Sequence, residues 1–472
     1  MKRSFFRKIT AVLLCVVLFV FPVSVYAEGI PGENTDEKAS EAGYDLYETI
    51  SILVDSYAGS DLTVEQLYMA ALRGMAAELD EYSYPMTAGE FQSFSGDMGK
   101  FTGIGIVLGK NELNGTTIVD VLKGSPASRA GVLVDDDLIK VNGTDVTKLT
   151  TTEVVEIIFS VEGAVELEIK RGEETLKVSV EKEEIIVDTV EEHKFGEVFP
   201  EADPAVSVKI GYAKIFAFGE QTLDEFQKVI EGMKKKNMEY LFLDLRDNSG
   251  GILETAEAIA KLIVPAGAIY HIKFADGSSY AVSSELKEPP FKHIVVLTNY
   301  YTASASELLA AALQDSNAGT IVGQKTFGKG TVQSLMPILV GGVFKYTTAE
   351  YLRRSGAAVN KIGVNPNVGI VKPHYLELYA DTETQTAEMI TGVLSILKYI
   401  GYEYEGKSEY GDAAKDVIKK FQTDNELSAN GIVNYETCEA LNVALNAKLI
   451  EKDLEELRAG YNYLLKNFIN KN

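Results

Sequence analysis

Cysteine is almost absent from this 472-residue chain, which contains only two. Cys15 lies in an apolar run near the N-terminus, and Cys438 lies near the other end. If the N-terminal run is a signal that is removed on export, one cysteine remains. An intrachain disulfide is then impossible, and a metal site built from cysteines is excluded.

Histidine is also scarce, and no two histidines stand at the spacing by which one helix face holds a metal. The sequence therefore predicts no metal site and no cofactor. A Ser-His-Asp triad stays open, because its members can lie far apart in sequence. The simpler interpretation is that each histidine is a surface or strand-end residue. The four are His193, His271, His293 and His374.

Positive charge is the third shortage. The formal net charge is −24, and basic residues cluster only at the N-terminus. Binding to nucleic acid needs a positive surface. The composition therefore argues against nucleic acid as a partner, and equally against electrostatic adsorption to an anionic membrane.

Residues 1–27 have the pattern of a secretory signal, with a basic start, an apolar stretch over residues 9–25 and a cleavage site at Val25-Tyr26-Ala27. The alternative is an uncleaved anchor, since the apolar run is only slightly short for a bilayer. In both cases we expect an extracytoplasmic protein, either secreted or associated with the cell envelope.

The most informative stretch runs from residue 293 to residue 333. The apolar run from His293 to Leu297 predicts a buried strand, and apolar positions from Leu308 onward predict a helix. Ser304 therefore lies where a strand turns into a helix, and the N–H groups at a helix start favour the negative charge of an oxyanion. Lys329 follows in a glycine-rich loop. A desolvated lysine can be the base that a serine nucleophile needs.

Other interpretations fit the same residues. Ser304 and Glu307 have the spacing of a helix capping box, and Lys329 alone is typical of a solvated loop charge. The glycine-rich loop also fits six positions of a phosphate-binding P-loop. However, Gly330 stands where that motif requires Ser or Thr, and the residues after it predict a strand instead of a helix.

The motifs S-A-S-E-L and T-F-G-K-G-T-V-Q together resemble the carboxy-terminal processing proteases, which use a serine–lysine dyad. The resemblance makes Ser304 the nucleophile, Lys329 the base and Gln333 the residue that orients the lysine. The departures from the family pattern lie outside the dyad and bear on substrate preference more than on activity. They are Thr302, residues 351–356 and Asn367.

The motif D-L-R-D-N-S-G-G at residues 244–251 resembles another turn of the same family. By this resemblance a glycine N–H, of Gly250 or Gly251, joins the N–H of Ala305 to form the oxyanion hole. The motif leaves the choice between the two glycines open. The alternative is that the glycines serve only a turn with positive φ.

Residues 98–185 predict a β-rich unit, and the phrases at residues 124–131 and 137–143 resemble a PDZ domain. Such domains bind a peptide carboxyl terminus on loop N–H groups and add the peptide as a strand. The resemblance places that carboxylate on the N–H groups of Ile104, Gly105 and Ile106. A PDZ-like fold that only packs on the protease is the alternative.

Helical regions flank these units. Residues 36–97 resemble the family's helical N-terminal region, with its L-D-P-H-S turn altered to L-D-E-Y-S, and residues 384–446 resemble a peptidoglycan-binding three-helix module. Residues 447–472 predict a C-terminal helix. Pairing of subunits through the N-terminal and C-terminal helices is one expectation, and helices that only pack on the core are the alternative. The expected core of the module is Phe421, Leu427, Ile432 and Leu441.

These patterns predict a multidomain α/β protein. An α/β serine protease core over residues 186–378 carries an inserted β-rich PDZ domain, a helical N-terminal region and a small helical C-terminal module. The expected function is that of a serine endopeptidase that cleaves proteins selected by their free C-terminal tails, with peptidoglycan as a further expected partner. The alternative is a catalytically silent, wall-bound PDZ scaffold, against which the intact Ser304, Lys329 and Gln333 argue.

Overall fold

The computed structural model describes residues 18–19, 35–59, 62–96, 99–110, 115–376, 386–404, 406, 410–452 and 454–470. The predicted signal at residues 1–27 lies outside these residues, apart from Leu18–Phe19. Among the described helices, none combines the length and the apolar character that crossing a bilayer requires. In the same residues, no three His, Cys, Asp or Glu side chains converge as metal ligands do.

The N-terminal region contains a strand that belongs to the catalytic core. Strand Tyr84–Met86 pairs with the later strand Val343–Arg353, with Tyr84 opposite Lys345 and Met86 opposite Val343. The region is therefore not purely helical, because one strand anchors it to a catalytic sheet. Its elements are β1 (Leu18–Phe19), α1 (Thr35–Ser56), α2 (Val64–Ala76), β2 (Tyr84–Met86) and α3 (Ala88–Gly96).

The β-rich unit follows and packs around its own apolar core, which includes Ile118, Leu138 and Val154. The order of its main sheet is β4-β5-β6-β8-β9, so β4 lies at an edge. That edge can accept an added strand. The elements are β3 (Lys100–Gly103), β4 (Ile106–Lys110), β5 (Thr116–Val121), α4 (Pro126–Arg129), β6 (Asp137–Val141), β7 (Thr144–Asp145), α5 (Thr151–Ser160), β8 (Val165–Arg171), β9 (Glu174–Val180) and β10 (Glu183–Ile186).

The catalytic core alternates strands and helices. The strand that the sequence predicts over residues 206–216 begins later, at Ile210, because Asp203 and Pro204 start a short helix instead. The elements are β11 (Val190–Lys194), α6 (Phe195–Val198), α7 (Pro204–Ser207), β12 (Ile210–Ile215), α8 (Thr222–Lys235), β13 (Tyr240–Asp244), α9 (Leu253–Ile263), β14 (Gly267–Phe274), β15 (Ser279–Ser284), β16 (His293–Thr298), α10 (Ala305–Asp315), β17 (Gly319–Gly323), β18 (Thr331–Pro337), β19 (Val343–Arg353) and β20 (Val368–Gly369).

Two sheets organise this core. The first has the order β11-β12-β13-β16-β17-β20, and its central strands run parallel. Every residue of β13, β16 and β17 is buried, as expected for parallel strands that are covered on both faces. The second sheet, β18-β19-β14-β15, is antiparallel and also takes up β2, while Leu18–Phe19 lies along β18. Helices α9 and α10 share one apolar core with residues of both sheets.

The C-terminal module consists of α11 (Ala387–Ile400), α12 (Asp412–Asp424) and α13 (Tyr435–Glu451), and it has a separate apolar core. Phe421 and Leu441 are buried there, and Leu427 is half-buried. The prediction for Ile432 is wrong, because its side chain is 42% exposed and Val433 is buried instead. Gly431, with a φ of +77°, turns the chain just before this pair and thereby sets which side chain points inward.

Helix α14 (Glu455–Leu464), followed by a π-helical turn (Leu465–Ile469), packs on the catalytic core. Leu457 and Tyr461 lie against β13 and β16 residues such as Phe242 and Val295. The close approach depends on Gly460, because a Cβ there would lie 2.8 Å from Val295 and 2.9 Å from Phe242. The α/β core, the inserted β-rich unit and the helical ends confirm the predicted fold class.

The docking of α14 predicts opposite outcomes for two glycine-to-alanine changes. Gly460→Ala should destabilise the core by about 1–3 kcal/mol through overpacking. Gly74→Ala in α2 has no atom within 4 Å of the new Cβ, so it should be neutral or stabilising by up to about 1 kcal/mol. Thermal unfolding measures both. Equal melting temperatures for the two variants would contradict this packing.

Candidate active site

Ser304 lies between β16 and α10, as the sequence predicts, and its side chain is fully buried. Its backbone has a φ of +57°, which side-chain-bearing residues rarely adopt and which costs about 1–3 kcal/mol. Among the described residues, its hydroxyl oxygen has no hydrogen-bond partner. Ser304 thus combines a strained backbone with a buried hydroxyl that makes no hydrogen bond to the described residues.

The turn at residues 244–251 is bonded directly to the Ser304 turn. The carbonyl oxygen of Asn248 accepts from the Ala303 N–H at 3.1 Å and from the Ser306 hydroxyl at 3.0 Å. Gly250 packs so close that a Cβ there would lie 2.8 Å from the Cβ of Ser304 and 3.1 Å from the Ala305 nitrogen. The structure therefore brings Gly250, Ser304 and Ala305 together.

The two glycines differ in what their N–H groups do. The Gly250 N–H donates to the Asn248 side-chain oxygen at 2.8 Å. Across the described residues, no hydrogen bond uses the N–H of Gly251 or of Ala305. Gly251 faces Phe218, since a Cβ on Gly251 would lie 2.4 Å from the Phe218 carbonyl oxygen. Gly250 lies beside Ser304 and Ala305, whereas Gly251 has the N–H that no hydrogen bond of the described residues uses. The choice of the glycine that completes the oxyanion hole therefore stays open.

Lys329 is only 1% exposed, so it is not a solvated loop charge. Its loop is tightly packed, because a Cβ on the neighbouring Gly330 would lie 2.4 Å from the Asn360 nitrogen. The Lys329 Nζ lies 4.7 Å from the centre of the Tyr82 ring. Strand β18 begins at Thr331, where a P-loop would require a helix, so the nucleotide-binding interpretation is excluded.

A single buried carboxylate holds the backbones of both residues. One oxygen of Glu307 accepts from the Ser304 N–H at 2.9 Å and from the Lys329 N–H at 2.8 Å. The other oxygen accepts from the Thr326 hydroxyl and from the Gly328 N–H. Burial raises the pKa of Glu307 to about 7, and the four donors act in the opposite direction. The backbones of Ser304 and Lys329 therefore meet at one oxygen atom.

Tyr351 makes a second bridge between the two residues, this time through their backbone carbonyl oxygens. Its hydroxyl lies 2.9 Å from the Ser304 carbonyl oxygen and 2.7 Å from that of Lys329. Burial and the nearby Glu307 raise the pKa of Tyr351 well above its usual value. The phenol therefore keeps the proton that it donates to these carbonyl oxygens.

Gln333 is fully buried on β18, two residues after the strand begins. Its amide nitrogen donates to the hydroxyls of Thr331 at 2.9 Å and Thr347 at 3.1 Å. In the described part of the chain, its amide oxygen is buried without a hydrogen-bond partner. The two threonines thus fix the orientation of the amide group.

The histidines do not build a triad with Ser304. His293 lies at the far end of β16 and contacts Thr320 at 2.8 Å, and burial lowers the pKa of His293 to about 4. His374 stacks on Tyr300, while His193 and His271 contact Glu191 and the Arg354 carbonyl oxygen. These four contacts leave Ser304 without an imidazole base.

A buried charge network connects α14 to the 244–251 turn. Glu456 forms an ion pair with Lys372 at 2.6 Å and lies 3.5 Å from Arg246. Arg246 in turn pairs with Asp244 at 2.7 Å. Burial works to raise the pKa of Asp244, but the Arg246 guanidinium holds it well below the usual range. The C-terminal helix thereby fixes the start of the glycine turn.

The predicted peptide-binding loop lies just before β4, far from Ser304 in the sequence. Gly105 has a φ of +82°, and a Cβ there would lie 2.2 Å from the Ser125 Cβ. The carbonyl oxygens of Ile104 and Gly105 accept from Ala127 and Leu122. No hydrogen bond in the described residues uses the N–H groups of Ile104 and Gly105. With Ile106 opening an edge strand, the loop offers free donors beside an open edge.

Sequence reasoning missed three residues of this site. Glu307 was visible as a capping residue, but the spacing did not reveal that it also binds the lysine loop. Tyr82 lies in the altered L-D-E-Y-S turn and Tyr351 opens the stretch at residues 351–356, but neither pattern revealed contacts with Ser304 or Lys329, because those contacts depend on long-range packing. Asn248, in contrast, stands inside the glycine-turn motif that the sequence singled out.

Comparisons with known proteins identify the domains and the family of the chain. Residues 209–370 match Peptidase family S41, residues 93–170 match the PDZ domain, and residues 394–441 match a peptidoglycan binding domain. The chain is 31% identical over 470 residues to the carboxy-terminal processing protease CtpA of Bacillus subtilis (strain 168), covering 97% of each protein. It is 31% identical over 442 residues to a CtpA-like serine protease of Staphylococcus aureus (strain bovine RF122 / ET3-1), covering 91% of this chain and 86% of that protein.

Among solved structures, the photosystem II D1 C-terminal processing protease aligns with 26% identity and a TM-score of 0.43, covering 69% of this chain and 86% of that one. The near full-length match to CtpA decides the family. The chain belongs to peptidase family S41 and is a serine-type peptidase that carries a PDZ domain and a peptidoglycan-binding domain.

Proposed function

We propose that this peptidase is an extracytoplasmic endopeptidase that cleaves proteins with a Ser304–Lys329 dyad and selects them by their C-terminal tails. The observation that carries the dyad is the double bridge: Glu307 and Tyr351 each bond the backbones of both residues. No other lysine of the described chain shares both of these partners with Ser304. The burial of both side chains provides the water-poor setting that a lysine base requires.

In this mechanism, neutral Lys329 takes the proton from the Ser304 Oγ as that oxygen attacks the peptide carbonyl carbon. The negative charge that develops on the carbonyl oxygen is bound by the Ala305 N–H and by one glycine N–H of the 250–251 pair. The Lys329 ammonium then protonates the leaving amine. Water, deprotonated by Lys329, attacks the acyl-enzyme and releases the second product.

Gln333 serves this mechanism as a positioning residue. Its amide nitrogen is held by two threonine hydroxyls, so its oxygen is kept at a fixed place in the buried site. That oxygen can accept an N–H of the lysine as its charge changes. Since Lys329 must be neutral to act as the base, kcat/KM is expected to fall at acid pH.

Tail selection rests on the PDZ domain. The unused N–H groups at Ile104 and Gly105 suit a terminal carboxylate, and the open edge of β4 suits an extended tail. A tail held there brings the rest of an unfolded substrate to the catalytic core at a high effective concentration. Export by residues 1–27 and wall binding by residues 384–446 would place the reaction at the cell envelope.

The dyad is tested by cleavage of casein. Ser304→Ala and Lys329→Ala are each expected to lower kcat/KM by at least about 10³-fold, because nucleophile and base act as a unit. Lys325→Ala is the matched control, since Lys325 lies in the same loop and is exposed. Normal cleavage by Lys329→Ala would contradict the mechanism. A silent wild type together with peptide-tail binding would favour the scaffold alternative.

Tail selection is tested with two glycines of the PDZ domain. Gly105 and Gly163 have φ values of +82° and +81°, but only a Cβ on Gly105 meets neighbouring atoms. Gly105→Ala should lower cleavage of a substrate with an apolar free C-terminus about tenfold or more, and Gly163→Ala should not. The same substrate with an amidated C-terminus should be cut at equal, low rates by both variants. Equal cleavage of the free-tailed substrate would refute tail selection by this loop.

A further inference from the structure

Tyr82, from the N-terminal region, contacts the lysine of the dyad. The Lys329 Nζ lies 4.7 Å from the centre of the Tyr82 ring, within the range of a cation–π contact. Tyr82 is itself only 6% exposed. Residue 82 is separated from Lys329 by the whole PDZ domain in sequence, so the contact is made by the folding of the N-terminal region onto the core.

The turn that carries Tyr82 is firmly fixed. The Asp80 carboxylate accepts from the Tyr82 N–H at 3.1 Å and from the Ser83 hydroxyl at 2.8 Å. The Ser83 hydroxyl oxygen also accepts from the N–H of Thr347 at 3.1 Å, and the hydroxyl of the same threonine holds Gln333. Strand β2 then pairs with β19 directly after the turn. The ring is therefore placed by hydrogen bonds at both sides.

A cleft of about 360 Å³ lies on the outer side of this turn. Tyr82 lines it together with Thr331, Thr347 and the acidic residues Asp80, Glu81 and Glu350, whereas Lys329 does not. Lys329 is itself only 1% exposed. Tyr82 therefore borders a cleft that water can fill and also contacts the Lys329 amine.

We propose that Tyr82 is a positioning residue whose ring closes the Lys329 pocket against this cleft and keeps the amine out of water. The inference builds on the dyad given under the proposed function. A water-filled pocket would favour the charged ammonium, so loss of the ring makes the base harder to deprotonate. Loss of the cation–π contact acts in the opposite direction and is the smaller effect for a fully buried amine.

Other titratable groups face this pocket, and their effect on the pH profile must be distinguished from that of Lys329. Glu307 and Tyr351 bond the Lys329 backbone, and the Asp80 and Glu81 carboxylates lie close to Tyr82. Burial and Glu81 raise the pKa of Tyr82 well above its usual value, so its phenol stays neutral at working pH. Glu307, with a pKa of about 7, also contributes to any acid limb. A second readout that reports Lys329 alone is therefore needed.

The experiment compares Tyr82→Ala, Tyr82→Phe and Tyr84→Ala in the purified protein. Tyr84 is the matched control, because it begins strand β2 just after the turn that carries Tyr82, but the centre of its ring lies 3.7 Å from the Nζ of a different lysine, Lys345. The acid limb of kcat/KM on casein should move to higher pH by about one unit in Tyr82→Ala. It should stay at the wild-type position in Tyr82→Phe and Tyr84→Ala.

The second readout is acetylation of Lys329 by acetic anhydride, followed by mass spectrometry, with the exposed Lys325 as internal reference. At a pH above the acid limb of both proteins, where the amine is neutral in each, Lys329 should be acetylated at least about tenfold faster in Tyr82→Ala than in wild type, because the amine is more accessible. If Tyr82→Ala does not fold, Tyr82→Leu decides the matter, since leucine fills only part of the ring volume and should also speed acetylation. Wild-type acetylation in the folded variant would overturn the proposal. A wild type that does not cleave casein would instead overturn the dyad. The acetylation rates would still test whether the Tyr82 ring shields the Lys329 amine.

Discussion

The Glu307 carboxylate, buried beneath the start of α10, is the interaction on which the site depends. One of its oxygens holds the N–H groups of Ser304 and Lys329, and the other holds the lysine loop through Thr326 and Gly328. A carboxylate in this place costs desolvation energy, and four donors offset that cost. The arrangement also helps to hold Ser304 at its strained φ, because a bond to its N–H fixes the turn from within. The backbones of Ser304 and Lys329, the proposed nucleophile and base, are thereby held together by bonds that leave both side chains uninvolved.

Elements far apart in sequence complete the surroundings of this pair. The N-terminal region supplies Tyr82 and a strand of the second sheet, while the C-terminal helix supplies Glu456, which pairs with Arg246 at the start of the glycine turn. Both ends of the chain are thus parts of the catalytic core and not appendages to it. Ser304 itself is fully buried.

The sequence predicted those features that local patterns encode. The strand-to-helix turn at Ser304, the glycine turn at 244–251 and the strand after Lys329 all follow from apolar runs and turn residues. The prediction that Ile432 is buried was wrong, because Gly431, with its positive φ, turns the chain so that Val433 faces inward instead. The predicted start of β12 was wrong, because Asp203 and Pro204 begin a short helix where the apolar pattern indicates a strand. The contacts of Tyr82 and Tyr351 and the docking of α14 could not be predicted, because they join segments that are far apart in sequence and no local pattern encodes which segments meet.

Covalent labelling of the serine tests the central claim most directly, since it needs no knowledge of the substrate. A fluorophosphonate reacts with a serine hydroxyl only when that hydroxyl is activated as a nucleophile. One adduct is expected, on the peptide that contains Ser304, and it should form rapidly in wild type and at least about 10²-fold more slowly in Lys329→Ala. An adduct that forms on Ser304 at the same rate in both proteins would contradict the role of Lys329, and an adduct on a different serine would contradict the site itself.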